Sequence, residues 1–362
     1  MPLPKHAVIF QALHQAIKRG DFQAGARLPS EQALARRHKA SRPTVAQALR
    51  ELQRLELVER HRGAGTFVRH TPPSGGTLGL LADGLGATEM AGPIPAEIAR
   101  AARAAGWEVL MGAAVADRPP DAIAREWAER GVAGVFFAPI EHHPVRAAVN
   151  RELAARLHHR GLAVVLLDRD VCEFPARSDE DLVAIDDFFA GFELAAHMLE
   201  RGCARLAFIA RPAFPETTDL RVAGARAAVE RAAKARLDFV VCEPGVRERI
   251  EVLLKRVKPD AIIASNDATA ARLLQTLREL GRDVPRDIMV AGFDDVRHAS
   301  QLAPPLTTMR QPCEALGAAA VETMLGRLRQ PRMPARRVLL RAELVVRAST
   351  GGWHGQPGPR LL

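Results

Sequence analysis

The sequence predicts a mixed α/β protein: a small basic helical head with a two-stranded wing, then a large body of parallel sheets covered by helices. Three observations lead there. A domain takes ~100–200 residues, so 362 residues hold two or three. Residues 1–70 carry thirteen Lys/Arg against five Asp/Glu, which puts +8 of the chain's net +9 in its first fifth. Beyond Thr71-Pro72-Pro73-Ser74-Gly75-Gly76, a stretch suited to a linker over 71–77, short apolar runs alternate with Ala/Arg/Glu-rich helical segments.

Composition excludes several classes. Apolar residues make up 48% and charged residues 26%, a globular balance rather than a disordered or fibrous one. No apolar run approaches the ~20 residues that span a bilayer, and no signal-peptide pattern opens the chain, so a cytoplasmic protein without membrane contact is expected. Cys172, Cys203, Cys242 and Cys313 are far apart and form no CxxC pair, as in a protein of reduced thiols without a metal site.

In the head, Ile9 or Phe10, Leu13 and Ile17 recur at helical spacing. After Leu28-Pro29, Ser30 suits an N-cap and Glu31 suits the positive end of a second helix running to about Arg37. Lys39-Ala40-Ser41 turns the chain. Ser41 is a second N-cap, and Pro43 is tolerated in the first turn of a third helix. Val45, Ala48, Leu49, Leu52 and Leu55 form that helix's buried face, while Arg42, Thr44, Gln47 and Arg50 lie opposite. Two helices joined by a tight turn, the second led by polar and basic residues, make a helix-turn-helix whose leading side chains suit the major groove. Leu57–Arg60 and Thr66–Arg69 read as strands of a wing joined through His61-Arg62-Gly63-Ala64-Gly65. The charge by itself fits either a polyanion partner or a solvated surface, and Arg36, Arg37 and Lys39 fit phosphate contact or idle charge equally.

From Leu28 to Val68 the chain resembles the winged helix-turn-helix of the GntR family of bacterial transcription regulators. The resemblance implies double-stranded DNA as partner, with Ser41, Arg42, Thr44 and Gln47 at the recognition helix and Arg62, Gly63 and Gly65 at the wing. One departure is Ala46, where many members carry Arg.

In the body, strands are predicted at Leu78–Ala82, Glu108–Gly112, Val132–Phe137, Ala163–Leu167, Leu206–Ala210, Ala261–Ala264 and Ile288–Ala291. Ligands of such sheets bind beyond the carboxyl ends of the strands. Asp83, Asp168, Asn266-Asp267 and Asp294-Asp295 stand there, a set suited to a polar small molecule. Asp267 reads as a helix N-cap.

Ala264–Pro312 is similar to the effector domain of the LacI/GalR family. Support comes from Leu167-Asp168-Arg169, Ile185-Asp186-Asp187, Arg221–Ala225 and Leu344–Thr350. This implies a periplasmic-binding-protein-like domain over 78–350, with one lobe at about 78–183 and 296–322 and the other at about 186–294 and 323–350. Leu306-Thr307-Thr308-Met309 would be the third crossover, and 351–362 a disordered tail. Arg221, Asn266, Asp294 and Asp168 match effector-contacting places; an ion pair is the alternative role for Arg221. Phe214 is the candidate for stacking on a sugar. The resemblance further implies a homodimer on a palindromic operator.

No GxGxxG, P-loop, GxSxG or HExxH is present, His142-His143 and His158-His159 lack metal-site spacing, and Lys234, Lys255 and Lys258 stand in charged helical contexts. No cofactor and no enzymatic activity are expected. The expectation is a ligand-responsive DNA-binding regulator, a repressor sensing a sugar. A nucleoside or other metabolite is the alternative effector, and a nucleotide-dependent enzyme or a solute-binding protein the rival class.

Overall fold

The computed structural model describes residues 5–18, 22, 25–54, 57–61, 65–68, 75–82, 93–112, 118–141, 146–232 and 234–351. The expected linker residues 71–74, most of the expected tail (352–362), and the site candidates Arg62, Gly63 and Asp83 lie outside these. The chain divides into two compact units, with a sequence boundary after Gly76.

The head contains α1 (Lys5–Lys18), α2 (Glu31–Arg37), α3 (Arg42–Arg54), β1 (Val58–His61) and β2 (Gly65–Val68). Its core gathers the periodic positions: Ile9, Leu13, Leu34, Val45, Ala48, Leu49 and Leu52 are all buried, joined by Leu28, Val58 and Val68. β1 and β2 pair antiparallel, with Val58 opposite Val68 and His61 opposite Gly65. The chain before α2 continues this ladder, Leu28 donating its amide to Thr66 O at 2.8 Å and Val68 to Ala26 O at 2.9 Å.

The body has two six-stranded sheets. The first contains β3 (Thr77–Ala82), β4 (Glu108–Gly112), β5 (Gly134–Ala138), β6 (Ala163–Leu167), β7 (Asp181–Ile185) and β13 (Arg337–Leu340), in the order β13-β7-β6-β5-β3-β4, all parallel. The second contains β8 (Arg205–Ala210), β9 (Arg236–Val241), β10 (Ala261–Ala264), β11 (Met289–Asp294), β12 (Thr307–Arg310) and β14 (Glu343–Val345). Its order is β14-β12-β11-β10-β8-β9, and only β14 runs antiparallel to its neighbour.

Helices α4 (Pro93–Ala104), α5 (Pro120–Glu129), α6 (Arg146–His159) and α11 (Cys313–Arg329) belong with the first sheet, and α7 (Asp187–Glu200), α8 (Glu216–Glu230), α9 (Arg247–Arg256) and α10 (Asp267–Glu279) with the second. Trp127 on α5 lies against two bare strand positions: a Cβ on Gly79 or Gly112 would stand 2.5 or 2.4 Å from its ring. The glycines make room for the largest side chain of that core.

The chain passes between the lobes three times: from β7 to α7, from β12 to α11 and from β13 to β14. This corrects the expected lobe limits. Thr307–Arg310 is not a crossover but a strand of the second sheet, paired with β11 and β14. The passage comes after it, and α11 packs on the first lobe, where Gly317 lies against the Glu97 and Ile98 backbone. Residues 337–340 likewise join the first sheet, Val338 beside Val183. The reason is hydrogen bonding. The polar Thr307-Thr308 pair reads as a connection, yet both are fully buried: Thr307 donates its hydroxyl to Arg347 O at 3.1 Å, and Thr308 donates to Asp267 Oδ1 at 2.7 Å.

Candidate functional site

The head presents its polar helix face to solvent. Arg42, Gln47 and Arg50 are exposed and Thr44 is half-buried. The Ser30 hydroxyl accepts from the Ala33 amide at 3.2 Å, capping α2. Ser41 does the same for α3, accepting from the Thr44 amide at 3.4 Å and pairing with the Thr44 hydroxyl at 2.7 Å, so it orders the recognition helix as well as standing at its tip. Arg27, Arg42 and Arg60 rim a concavity of about 300 Å³ with Ser30, Gln32 and Gly65, and Glu31 holds Arg60 at 2.6 Å. Gly65 has φ +120°, a backbone conformation that favours glycine, and the Arg27 side chain lies close against it. Sequence reasoning did not single out Arg27 and Arg60; the ladder joining residues 25–28 to β2 is what brings them beside Arg42.

In the body a cleft of about 640 Å³ lies beyond the strand ends. Asp168, Arg221, Asn266 and Asp294 all line it, four of the residues singled out from sequence. Phe214 is not among its lining residues; its ring packs edge-on to Phe239 at 5.5 Å between centroids. The aromatic-rich neighbourhood of β9 captures it, so the expected stacking platform is absent among the described residues.

Close helix packing places Arg221. A Cβ on Gly191 would stand 2.0 Å from Arg221 O, and one on Gly224 1.9 Å from Phe188 O, so α7 and α8 approach backbone to backbone. Arg221 thereby reaches Asp187 at 2.7 Å, donates to Ser265 O at 2.7 Å, stands 3.9 Å from Asp294 and covers the Phe293 ring at 4.5 Å. Arg221 is thus ion-paired, the alternative role expected for it, and it also lines the cleft. Asp187, missed in the sequence, holds its planar fork in place.

Asp168 and Asp294 end β6 and β11 with φ of +69° and +111°. Such backbone costs about 1–3 kcal/mol per residue and is found where structure serves a site. Asp294 accepts from Gln311 Nε2 at 3.1 Å. Asp168 Oδ2 is held by Arg169, whereas Asp168 Oδ1 is buried with no partner. Arg169 also meets Glu141 at 2.7 Å.

Asn266, not Asp267, is the side-chain cap of α10, accepting from the Thr269 amide at 2.9 Å; this leaves its amide nitrogen for the cleft. Asp267 instead binds the Thr308 hydroxyl and accepts from the Val296 amide at 3.0 Å, in space that Gly292 leaves open.

Burial dominates the ionisation of this cluster. It raises the Asp168 carboxyl well above its usual range, helped by the charge of Asp187, and raises Asp187, Asp267 and Asp294 in the same direction against opposing bonds. Glu216, whose carboxylate is bound by the Asp170 amide, is pushed up to about 7. Burial lowers Arg169 to about 10; it would lower Arg221 too, but Asp187, Asp294 and Asp168 more than offset it. The floor therefore mixes proton donors and acceptors, which suits hydroxyl groups.

Residues 5–68 match the family model described as bacterial regulatory proteins, gntR family, and residues 195–350 the model of a periplasmic binding protein-like domain. The chain joins a gntR-type head to a periplasmic-binding-protein-like body. The arabinose metabolism transcriptional repressor of Geobacillus stearothermophilus is 27% identical over 368 residues, 96% of this chain and 98% of that protein. The ribose operon repressor of Escherichia coli (strain K12) is 32% identical over 182 residues, 48% of this chain; the match spans about half, 55%, of that repressor's length. Among solved structures, a LacI family transcriptional regulator from Enterococcus faecium with bound ribose superposes with a TM-score of 0.62 at 22% identity, covering 76% of this chain and 98% of that one, a likeness of fold. Among the described residues no helix is long and apolar enough to cross a membrane, and no cluster of His, Cys, Asp and Glu could hold a metal ion.

Proposed function

We propose that the protein is a DNA-binding transcription regulator, a repressor, whose operator affinity is set by a small polyhydroxylated ligand held between the two lobes of its body. The observation that carries this is the convergence of Asp168, Arg221, Asn266 and Asp294 on one cleft in a chain that also bears a gntR-type head. The unpartnered Asp168 oxygen is a buried polar atom that a ligand hydroxyl would satisfy, since leaving such an atom without a hydrogen bond costs ~1–3 kcal/mol. The three relatives named above are regulators, two of them sugar-operon repressors by name.

The working form is a homodimer that sets two heads on a palindromic operator. Ligand closes the lobes and changes operator affinity by a coupling free energy of ~1–3 kcal/mol. The test is a thermal-shift screen of sugars and nucleosides on the full chain, followed by gel shifts with DNA upstream of its own coding region. A sugar that both raises the melting temperature and changes the shifted fraction supports the reading. A protein that retards no duplex at low ionic strength overturns it.

A further inference from the structure

The cleft has two chemically different ends. Its buried floor carries Asp168 and Asp294 beside Arg221, with Arg169 on one Asp168 oxygen and Gln311 on Asp294. Its more accessible wall carries Arg211, just past the end of β8, and Arg272, on the face of α10 that also presents Ala268 and Ala271 to the cleft. Arg211 is half-buried and Arg272 exposed. Among the described residues neither guanidinium has a hydrogen bond or ion pair. Ala268 and Ala271 are small, so nothing on their turn of the helix screens Arg272 from the cleft. Pro215, Thr217 and Thr218 at the start of α8 line the same space, and α8 has no side-chain cap at that end. The only acid nearby in its first turn that is buried, Glu216, is engaged by the Asp170 amide. Two guanidinium groups without partners among the described residues favour negative charge. The same cleft holds the orphaned oxygen of Asp168, nine-tenths buried, which marks the floor as built for a ligand hydroxyl.

We infer that the cleft takes an acidic polyhydroxylated compound, a sugar derivative bearing one carboxylate or phosphate group, with its hydroxyls on the buried floor and its anionic group against Arg211 and Arg272. This rests on the proposed function and narrows its ligand class. A neutral sugar would satisfy the floor and leave both arginines unused. A purely anionic ligand without hydroxyls would leave Asp168 unsatisfied. Among the described residues Arg169 and Arg221 answer part of the floor's negative charge, and burial holds Asp168 and Asp267 toward their neutral forms, so the floor does not cancel the arginine wall.

The test is calorimetric titration of the full chain with D-ribose, D-xylose and D-glucose, then D-gluconate and D-glucuronate, then D-ribose 5-phosphate and D-glucose 6-phosphate, with inorganic phosphate as control. The carboxylate and phosphate arms distinguish the two sources of negative charge. An acid binding at least tenfold more tightly than its neutral parent is expected, with an affinity that falls as salt rises, because the contact is between partly exposed charges. Arg211→Gln and Arg272→Gln should each erase most of that preference while leaving the unliganded melting temperature unchanged, since neither side chain is bonded in the fold. Neutral sugars binding as tightly as the acids, or an acid preference that survives the double variant, would overturn the inference and leave the sugar-sensing reading standing. Binding by none of these compounds would overturn both.

Discussion

At the scale of single residues, burial raises the carboxyls that line the cleft. Asp294 touches both Arg221 and Gln311 from a strained strand end. Asp294→Ala is expected to abolish the ligand response while operator affinity is kept, read by gel shift with and without ligand. A variant that still responds at the ordinary ligand concentration would remove Asp294 from the site. Glu216 offers a pH test. Its folded-state value, about 7, lies above the usual 4.5, so between those values the folded protein binds the extra proton and stability falls as pH rises. At pH 8 the burial of the charged form costs about 3 kcal/mol. Glu216→Gln keeps an oxygen for the Asp170 amide and removes the titration. Its melting temperature should fall less than that of the parent between pH 5 and 8; an identical fall would show that Glu216 titrates normally.

Much of the residue-level site was legible in the sequence. Asp168, Asn266 and Asp294 were marked by standing at strand ends, where the chain must leave a sheet and its side chains meet the cleft. Asp187 was not, because its role depends on a helix contact made across thirty-four residues of chain. The assignment of the α10 cap to Asp267 rather than Asn266 missed by one residue, since both suit a cap and only the bond from Thr308 draws Asp267 away. Phe214 was lost to Phe239, a contact that no local pattern announces.

At the scale of elements, the α7–α8 pair sets the geometry of Arg221. Gly224→Ala must push the Phe188 backbone of α7 away from α8, the helix that carries Arg221, and overpacking of this kind costs about 1–3 kcal/mol or more. Urea denaturation should show that loss together with weakened ligand binding, since the guanidinium moves with the helix. In the head, α3 offers Arg42 and Gln47 on its exposed face. Arg42→Ala is expected to relax discrimination between operator variants more than it weakens binding to random duplex, read by competition gel shift. An equal loss on both would assign Arg42 to the phosphates. The long periodic helices and continuous apolar strands could be read directly. β12, β13 and β14 could not be assigned to a lobe, because a strand of three or four residues takes its sheet from pairing partners far away in sequence.

At the scale of the molecule, charge and fold are divided between the two units. The concentration of +8 in residues 1–70 predicts that DNA affinity is strongly salt-dependent, each neutralised phosphate adding about −0.9 to the slope of log affinity against log salt. With about six phosphates neutralised, affinity falls roughly 10³-fold between 50 and 200 mM salt. A slope near zero in fluorescence-anisotropy titrations would show that the basic head does not track the phosphate backbone.

The three strand passages of the body have a genetic consequence. Because β13 completes one sheet and β14 the other, a stop codon upstream of residue 337 deprives both lobes of a border strand at once. Neither lobe corresponds to an uninterrupted stretch of gene, so recombination would have to make three cuts to exchange one. Residues 1–76 of the head form one uninterrupted stretch, and this asymmetry makes the head the more interchangeable part and the body the inherited whole.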